Sequence, residues 1–262
     1  MTIALDTNGH GEPLVLLHGV GASRGIWRKV IDQLAADRLV LAPDLPGFGD
    51  SPPAGAAFSL EKTADALAEE LSQRVREPFD LVGNSLGGAV GLILAVRRPE
   101  LVRRLILVAP AGFSPRPRLA SAAVGRLSDP LIRFRRVIGT PLVSVGIARR
   151  VLLWGTVDAP QQLSAQDART MLQGSRGSSR VGAAVAEVLR SDLRSELTRL
   201  NRPLGLIWGI HDRVVPVETI RSILAVRPDV VVETIPNAAH VPQFERPAQF
   251  TLALRRVLER LR

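Results

Sequence analysis

Short, uninterrupted apolar runs alternate with helical patterns over the first 111 residues of the chain. The strand-like runs lie at residues 14–17, 39–44, 79–82 and 105–109. The stretches between them place apolar side chains at helical spacing, as in residues 26–34, 60–71 and 88–98. Ser59 is placed to cap the second of these helices. Buried strands that alternate with helices predict a mostly parallel, doubly wound sheet with helices on both faces.

The alternation stops at residue 112 and resumes near residue 202. The segment between them is helical in pattern and rich in arginine, and five prolines interrupt it. Strand and helix patterns then return at residues 204–208, 217–226, 230–235 and 248–261. We therefore predict an α/β core formed by residues 1–111 and 202–262, with residues 112–201 inserted as a helical lid. Because parallel sheets bind ligands beyond the carboxyl ends of their strands, and the insertion leaves from one such end, this lid is expected above the site.

The most informative motif is Gly-Asn-Ser-Leu-Gly at residues 83–87, between a predicted strand and a predicted helix. In that setting Gly-x-Ser-x-Gly is typical of a nucleophile elbow, a turn so tight that small residues must flank the serine. The turn exposes the serine hydroxyl at the carboxyl end of the sheet. We therefore predict Ser85 as a catalytic nucleophile.

A serine hydroxyl needs a general base, and the chain has only four histidines from which to choose it. His10 lies in a glycine-flanked surface turn, and His18 ends the first buried run, where a structural role is favoured. His211 is interpreted as a loop residue at a strand end. His240 follows the final predicted strand, in a loop that faces the elbow, and is the predicted base.

The base in turn needs a carboxylate to orient it, and Asp212 is the best placed. It follows a predicted strand and lies between Ser85 and His240 in sequence, in the order Ser, Asp, His. Asp44 precedes the serine and is assigned to a structural turn, and Asp80 lies at the wrong end of its strand.

Two backbone N–H groups are predicted to stabilise the negative oxygen of an acyl-transfer transition state. One is the N–H of Leu86, which follows the nucleophile. The other is the N–H of Val20, in the glycine-rich loop after the first buried run.

Several motifs in order resemble the α/β-hydrolase family, and the likeness covers most of the chain outside the predicted lid. They are His-Gly-Val-Gly at 18–21, Asp-Leu-Pro-Gly-Phe-Gly-Asp-Ser at 44–51, Gly-Asn-Ser-Leu-Gly-Gly at 83–88, Gly-Ile-His-Asp at 209–212 and His-Val-Pro at 240–242. The resemblance implies an eight-stranded sheet; because the start is short, the first antiparallel strand could be absent, so seven to eight strands are expected. The elbow is also similar to that of the branch that hydrolyses carbon–carbon bonds of ring-cleavage products. However, Val241 stands where that branch carries tryptophan, and the early loop lacks its Gly-Pro-Gly.

Composition narrows the chemistry further. The chain has no cysteine, which excludes disulfides, thiolate metal sites and a cysteine nucleophile. No signal peptide is visible at the start and no apolar run approaches the length of a membrane helix, so no integral membrane segment and a cytoplasmic location are predicted.

The net charge of +9 is concentrated in one segment. Residues 113–200 hold 14 arginines and 6 acidic residues, whereas the other 174 residues hold 20 basic and 19 acidic residues. No nucleic-acid-binding module accompanies the arginines, so nucleic acid is not a predicted partner. They are either a solvated surface or, for one or two of them, a site for an anionic substrate group, with Arg116, Arg176 and Arg180 as examples.

The function predicted is a serine hydrolase that cleaves a carboxylic ester or related acyl bond through an acyl-enzyme, without a metal or organic cofactor. Its substrate is a small molecule, either neutral or anionic. The alternatives are a carbon–carbon bond hydrolase of a dienoate or diketone, a thioesterase, and a non-catalytic binding protein. Phe113, Trp154 and Val241 are the candidate pocket residues. A monomer and a homodimer are equally compatible with the sequence.

Overall fold

The computed structural model describes residues 2–113, 118–173 and 180–261. Their strands form one sheet of seven, in the order β1-β3-β2-β4-β5-β6-β7. The strands are β1 (Leu5–Asn8), β2 (Glu12–Leu17), β3 (Arg38–Pro43), β4 (Phe79–Asn84), β5 (Val102–Val108), β6 (Leu204–Gly209) and β7 (Val231–Ile235). Only the edge strand β1 is antiparallel to its neighbour. The short antiparallel first strand, which the sequence suggested could be absent, is therefore present. The predicted mostly parallel sheet of seven to eight strands is confirmed.

Helices cover both faces of the sheet, as predicted. Those of the two core segments are α1 (Arg28–Leu34), α2 (Leu60–Arg74), α3 (Leu86–Arg97), α9 (Thr219–Leu224), α10 (Pro242–Glu245) and α11 (Pro247–Arg260). Side chains alternate along β4, so that Leu81 packs with α2 and α3 on one face, and Val82 with α1 and α11 on the other. The hydroxyl of Ser59 accepts the N–H of Lys62 at 3.3 Å, which caps α2 as expected.

Between β5 and β6 the described residues contain helices and no sheet strand. They are α4 (Arg118–Leu142), α5 (Gly146–Leu152), α6 (Ala165–Gln173), α7 (Val181–Arg190) and α8 (Arg194–Arg199). The contact between α4 and α7 is close because Gly125 has no side chain: a Cβ there would lie 2.6 Å from the carbonyl oxygen of Gly182. The division into core and lid at residues 112 and 201 stays a prediction.

Within the described parts of the chain, no helix has both the length and the apolar character needed to cross a bilayer.

Candidate active site

Ser85 occupies the turn between β4 and α3. Its backbone conformation, with φ 54° and ψ −114°, is one that residues other than glycine rarely adopt. The turn is possible because glycines lie two positions before and two positions after the serine. A Cβ on Gly83 would lie 2.3 Å from the carbonyl oxygen of Gly87, and a Cβ on Gly87 would lie 2.4 Å from the carbonyl oxygen of Leu17. Packing alone therefore demands small residues two positions before and after the serine.

His240 and Asp212 meet across loops that follow two neighbouring strands, β7 and β6. The Nδ1–H of His240 donates to Oδ2 of Asp212 at 2.8 Å, and both side chains are buried. The other oxygen of Asp212 accepts the backbone N–H groups of Val214 and Val215, at 2.8 and 2.9 Å. These two bonds fix the carboxylate, and the carboxylate fixes the orientation of the imidazole.

Asn84, the residue before the serine, ties the elbow to the histidine loop. Its buried side-chain amide donates to the carbonyl oxygen of Val108 at 3.1 Å and to that of His240 at 3.0 Å. The backbone N–H of His240 donates to the carbonyl oxygen of Thr156 at 3.2 Å, and Thr156 lies in the helical segment between β5 and β6. This role of Asn84 could not be identified from the sequence, because any residue type fits the second position of the motif.

Glu245 holds the same loop from the other side. One of its oxygens accepts the N–H groups of Ala239 and Val241, which flank His240, and the other accepts the N–H of Asp158 at 2.7 Å. Burial raises the pKa of Glu245 to about 6, although the three N–H donors act in the opposite direction. The role of Glu245 in holding this loop was also not predicted from the sequence.

The loop after β2 approaches the elbow closely enough for its backbone to face the serine. A Cβ on Gly19 would lie 3.2 Å from Cβ of Ser85. The Nδ1–H of His18 donates to the carbonyl oxygen of Gly19 at 2.8 Å, and its Nε2 accepts the N–H of Leu45, so both ring nitrogens are used within the fold. Burial lowers the pKa of His18, which keeps the ring neutral.

Two cavities open beside Ser85, and Val20 and Val214 line both. The first, here called the Arg135 cavity, has a volume of about 350 Å³ and also contacts Asn84 and His240. The second, the apolar cavity, has a volume of about 220 Å³, and Ser85 is the only polar side chain among its described lining residues. Of the predicted pocket residues, Trp154 and Val241 line the Arg135 cavity and Phe113 lines the apolar cavity. Leu86, at the start of α3, borders the apolar cavity.

A sequence profile of the α/β hydrolase fold matches residues 12–247. The chain belongs to the α/β-hydrolase family. This hydrolase is 32% identical, over 267 residues that cover 99% of each protein, to the pimeloyl-(acyl-carrier protein) methyl ester esterase of Chromobacterium violaceum. It is 44% identical, over 114 residues that cover 42% of this chain and 40% of the relative, to the 2-hydroxymuconate semialdehyde hydrolase of Pseudomonas sp. strain CF600. A solved structure of a thermophilic esterase from Thermogutta terrifontis shares its fold, with a TM-score of 0.78 at 24% identity, and covers 99% of this chain and 93% of that one. The predicted enzyme class, a hydrolase, is confirmed.

His240 is the only histidine among the described residues that line the cavities beside Ser85. His10 is exposed, and exposed His211 pairs its Nδ1 with a carboxylate oxygen of Asp158 at 2.8 Å. Asp44 is a buried turn residue that accepts the backbone N–H groups of Arg24 and Asp50.

Asp80 lies at the opposite end of the sheet from Ser85, fully buried among three arginines. Arg38, Arg103 and Arg104 all donate to its carboxylate. A cavity of about 620 Å³ opens there, but its arginines are already paired with carboxylates, so its chemistry is that of a structural ion-pair network.

Of the three arginines named as examples for an anion site, Arg116 and Arg176 lie outside the described residues. Arg180 donates to the carbonyl oxygens of Gly55 and Ala56 and lines neither cavity beside Ser85. Among the described residues, Arg135 of α4 lines the cavity beside Ser85, and it was not one of the three arginines named from the sequence.

In residues 2–113, 118–173 and 180–261, no three or more His, Cys, Asp or Glu side chains are grouped so that they could hold a metal ion.

Proposed function

We propose that this α/β hydrolase is a serine hydrolase that cleaves a carboxylic ester, or a related acyl bond, of a small molecule. The observation that carries the proposal is the 2.8 Å hydrogen bond from His240 to Asp212 beside a cavity that Ser85 also borders. A nucleophile, a base and an orienting carboxylate in this order along the chain are the requirements of acyl transfer by serine.

In the proposed reaction, Oγ of Ser85 bonds to the carbonyl carbon while Nε2 of His240 takes the hydroxyl proton. The N–H groups of Val20 and Leu86 stabilise the negative oxygen that forms. The bond to the leaving oxygen then breaks, and His240 returns the proton to that oxygen, which leaves an acyl group on Ser85. Water, deprotonated by the same imidazole, releases the acid and restores the serine.

The strained backbone of Ser85 supports this role. Non-glycine residues with positive φ are held by surrounding structure and cluster at functional sites. Because Leu86 begins α3, its N–H belongs to the first turn, which has no intrahelical partner and faces an anion favourably.

We further propose that residues 112–201 act as a lid. Support comes from Trp154 and Arg135, which lie in this segment and line a cavity that reaches Ser85. Thr156, in the same segment, accepts the N–H of His240. The cytoplasmic location and the oligomeric state stay predictions.

Replacing Ser85 with alanine tests the proposed function. We expect Ser85→Ala to lose p-nitrophenyl ester hydrolysis by at least about 10³-fold, while its melting temperature stays close to that of the parent. Ser72→Ala, which removes an exposed hydroxyl on α2, is the matched control and should be fully active. Retained hydrolysis in Ser85→Ala would exclude the proposed nucleophile.

A carbon–carbon bond hydrolase is the second candidate, and the partial relative named 2-hydroxymuconate semialdehyde hydrolase favours it. A thioesterase uses the same machinery. Turnover of matched esters, thioesters and vinylogous diketones by the parent enzyme, each lost in Ser85→Ala, separates the three activities by their relative kcat/KM.

A further inference from the structure

Arg135 lies on the inward face of α4, where it lines the same cavity as Ser85 and His240. Among the described residues that line this cavity, it is the only one with a permanent charge. The other described walls are chiefly apolar; they include Ile26, Ile132, Leu153, Met171, Leu172 and Val241. A guanidinium in such surroundings is partly removed from water, which is unfavourable unless an anion compensates it.

No compensating carboxylate faces Arg135 within the described parts of the chain. Its guanidinium donates to the carbonyl oxygen of Leu152, which is neutral. Burial lowers the pKa of Arg135, and no acidic residue among those described raises it. The arginines around Asp80 provide the contrast, because each of them is paired with a carboxylate.

The two cavities beside Ser85 differ in character. One contains a guanidinium with a planar set of donors that matches a carboxylate, whereas the other is lined almost entirely by aliphatic and aromatic carbon. An ester bound at Ser85 has two substituents and would direct one into each cavity.

We infer that Arg135 binds a carboxylate on the substrate, so that the enzyme prefers esters with a carboxylate on one side of the scissile bond and an apolar substituent on the other. This inference rests on the proposed function, since it assumes that Ser85 is where the bond is cleaved. It names the class of substrate that the sequence left open.

Three esters test the inference: p-nitrophenyl hexanoate, the mono-p-nitrophenyl ester of adipate, and p-carboxyphenyl hexanoate. The second carries a carboxylate on the acyl side and the third on the alcohol side, so either orientation is covered. We expect Arg135→Met to lower kcat/KM for at least one anionic ester by about 10- to 100-fold, the range of a charge-assisted hydrogen bond, with little change for the neutral ester. Arg135→Lys keeps the positive charge without the planar set of donors. Its kcat/KM for the anionic ester should lie between those of the parent and of Arg135→Met.

Arg126→Met is the matched control, because Arg126 is an exposed arginine of the same helix that does not line the cavity. Arg126→Met should leave kcat/KM for all three esters unchanged. Equal changes for all three esters in Arg135→Met and Arg135→Lys would overturn the inference. If the parent enzyme cleaves the neutral ester and Ser85→Ala does not, the proposed function survives that result. If Ser85→Ala still cleaves the neutral ester, the proposed function fails instead.

A second inference comes from the outer face of α4 and the residues after it. Among the described residues, 11 of the 14 large apolar side chains that are exposed lie between Val124 and Trp154. We call this set the apolar stripe: Val124, Leu127, Leu131, Phe134, Val137, Ile138, Leu142, Val145, Ile147, Val151 and Trp154. Leu127 is 68% exposed, Phe134 62% and Trp154 66%. So many exposed large apolar side chains within one segment are unusual on a protein surface that has no partner.

The charge around the apolar stripe indicates what covers it. The amino-acid sequence of residues 118–154 contains seven arginines and a single acidic residue; of these arginines, Arg126 and Arg150 are exposed, whereas Arg135 lines the cavity beside Ser85. Two copies of so basic a segment would repel each other, whereas anionic lipid head groups attract it and the acyl boundary accommodates the apolar side chains. We propose that this face docks on an anionic membrane surface.

Vesicle binding tests the second inference. We expect the protein to sediment with phosphatidylcholine vesicles that contain phosphatidylglycerol, more weakly at high salt, and not with phosphatidylcholine alone. Trp154 should show a blue-shifted emission on binding. Leu131→Glu combined with Phe134→Glu should abolish binding, and Leu252→Glu, at a 55% exposed leucine on α11, should not. Absence of binding to the anionic vesicles would overturn the proposal, as would a solution dimer that the double variant dissociates.

Discussion

Replacing Asp212 with asparagine exchanges one carboxylate oxygen for an amide nitrogen. The exchange should move the ring hydrogen of His240 from Nδ1 to Nε2. In the parent, one oxygen of Asp212 accepts from His240 and the other accepts two backbone N–H groups, those of Val214 and Val215. An asparagine can keep its oxygen toward the backbone donors only by turning its amide toward the imidazole. Nδ1 of His240 must then accept a hydrogen bond from that amide, so Nε2 carries the ring hydrogen and cannot take a proton from Ser85.

The opposite amide orientation is too unfavourable to rescue the base. It would set the amide nitrogen against the two backbone N–H groups and leave both unsatisfied, at about 1–3 kcal/mol each. The variant should therefore hold the wrong histidine tautomer. From the same substitution in serine proteases we expect kcat to fall by about 10³- to 10⁴-fold, or about 4–5.5 kcal/mol in the barrier.

The assay is p-nitrophenyl ester hydrolysis, with folding followed by circular dichroism and thermal melting. Asp80→Asn is a matched control, because Asp80 is also a buried carboxylate but lies at the far end of the sheet. It should lower the melting temperature, as three arginines lose part of their partner, while the folded enzyme keeps its kcat within about twofold. A well-folded Asp212→Asn that keeps more than about a tenth of the parent kcat/KM would refute the proposed role of Asp212.

Two further predictions concern stability. The folded pKa of Glu245, about 6, lies above its ordinary value of 4.5, so this group's stabilising contribution is complete below about pH 4.5 and is lost as the pH rises through 6. Glu245→Gln cannot titrate, so its free energy of unfolding should gain up to about 2 kcal/mol relative to the parent across that window in urea titrations; a difference independent of pH would contradict this. Gly83→Ala places a Cβ 2.3 Å from a backbone oxygen and should destabilise by more than about 3 kcal/mol in urea, whereas Gly55→Ala, whose nearest neighbour is 3.8 Å away, should change stability by less than about 1 kcal/mol. Equal urea midpoints for these two variants would show that the elbow tolerates a side chain.

The local elements of the fold could be predicted because they depend on neighbours in the sequence. The elbow at Ser85 is marked by its own glycines, and strand ends could be placed from apolar runs, which put Asp212 and His240 at the same edge of the sheet. Parallel topology then brings three distant positions to one edge of the sheet.

Asn84 and Glu245 could not be predicted, because they act through backbone groups of residues far away or of no distinctive type. A hydrogen bond to a carbonyl or an N–H leaves no pattern in the sequence of the partner. Only the folded chain shows which loops these side chains connect.

Arg135 was missed for a different reason. The usual rule turns the apolar face of a helix toward the core, and for α4 that rule selects the wrong face. Leu127, Leu131 and Phe134 point outward, whereas Arg135 and Gly139 point inward. The inward face could not be identified until the position of α4 on α7 was known.

Covalent labelling tests the central claim most directly. A fluorophosphonate probe should form one adduct per chain, and peptide mass spectrometry should locate it on Ser85, with labelling lost in Ser85→Ala and strongly slowed in His240→Ala. A parent enzyme that is folded but not labelled, or an adduct on any other residue, would contradict the account.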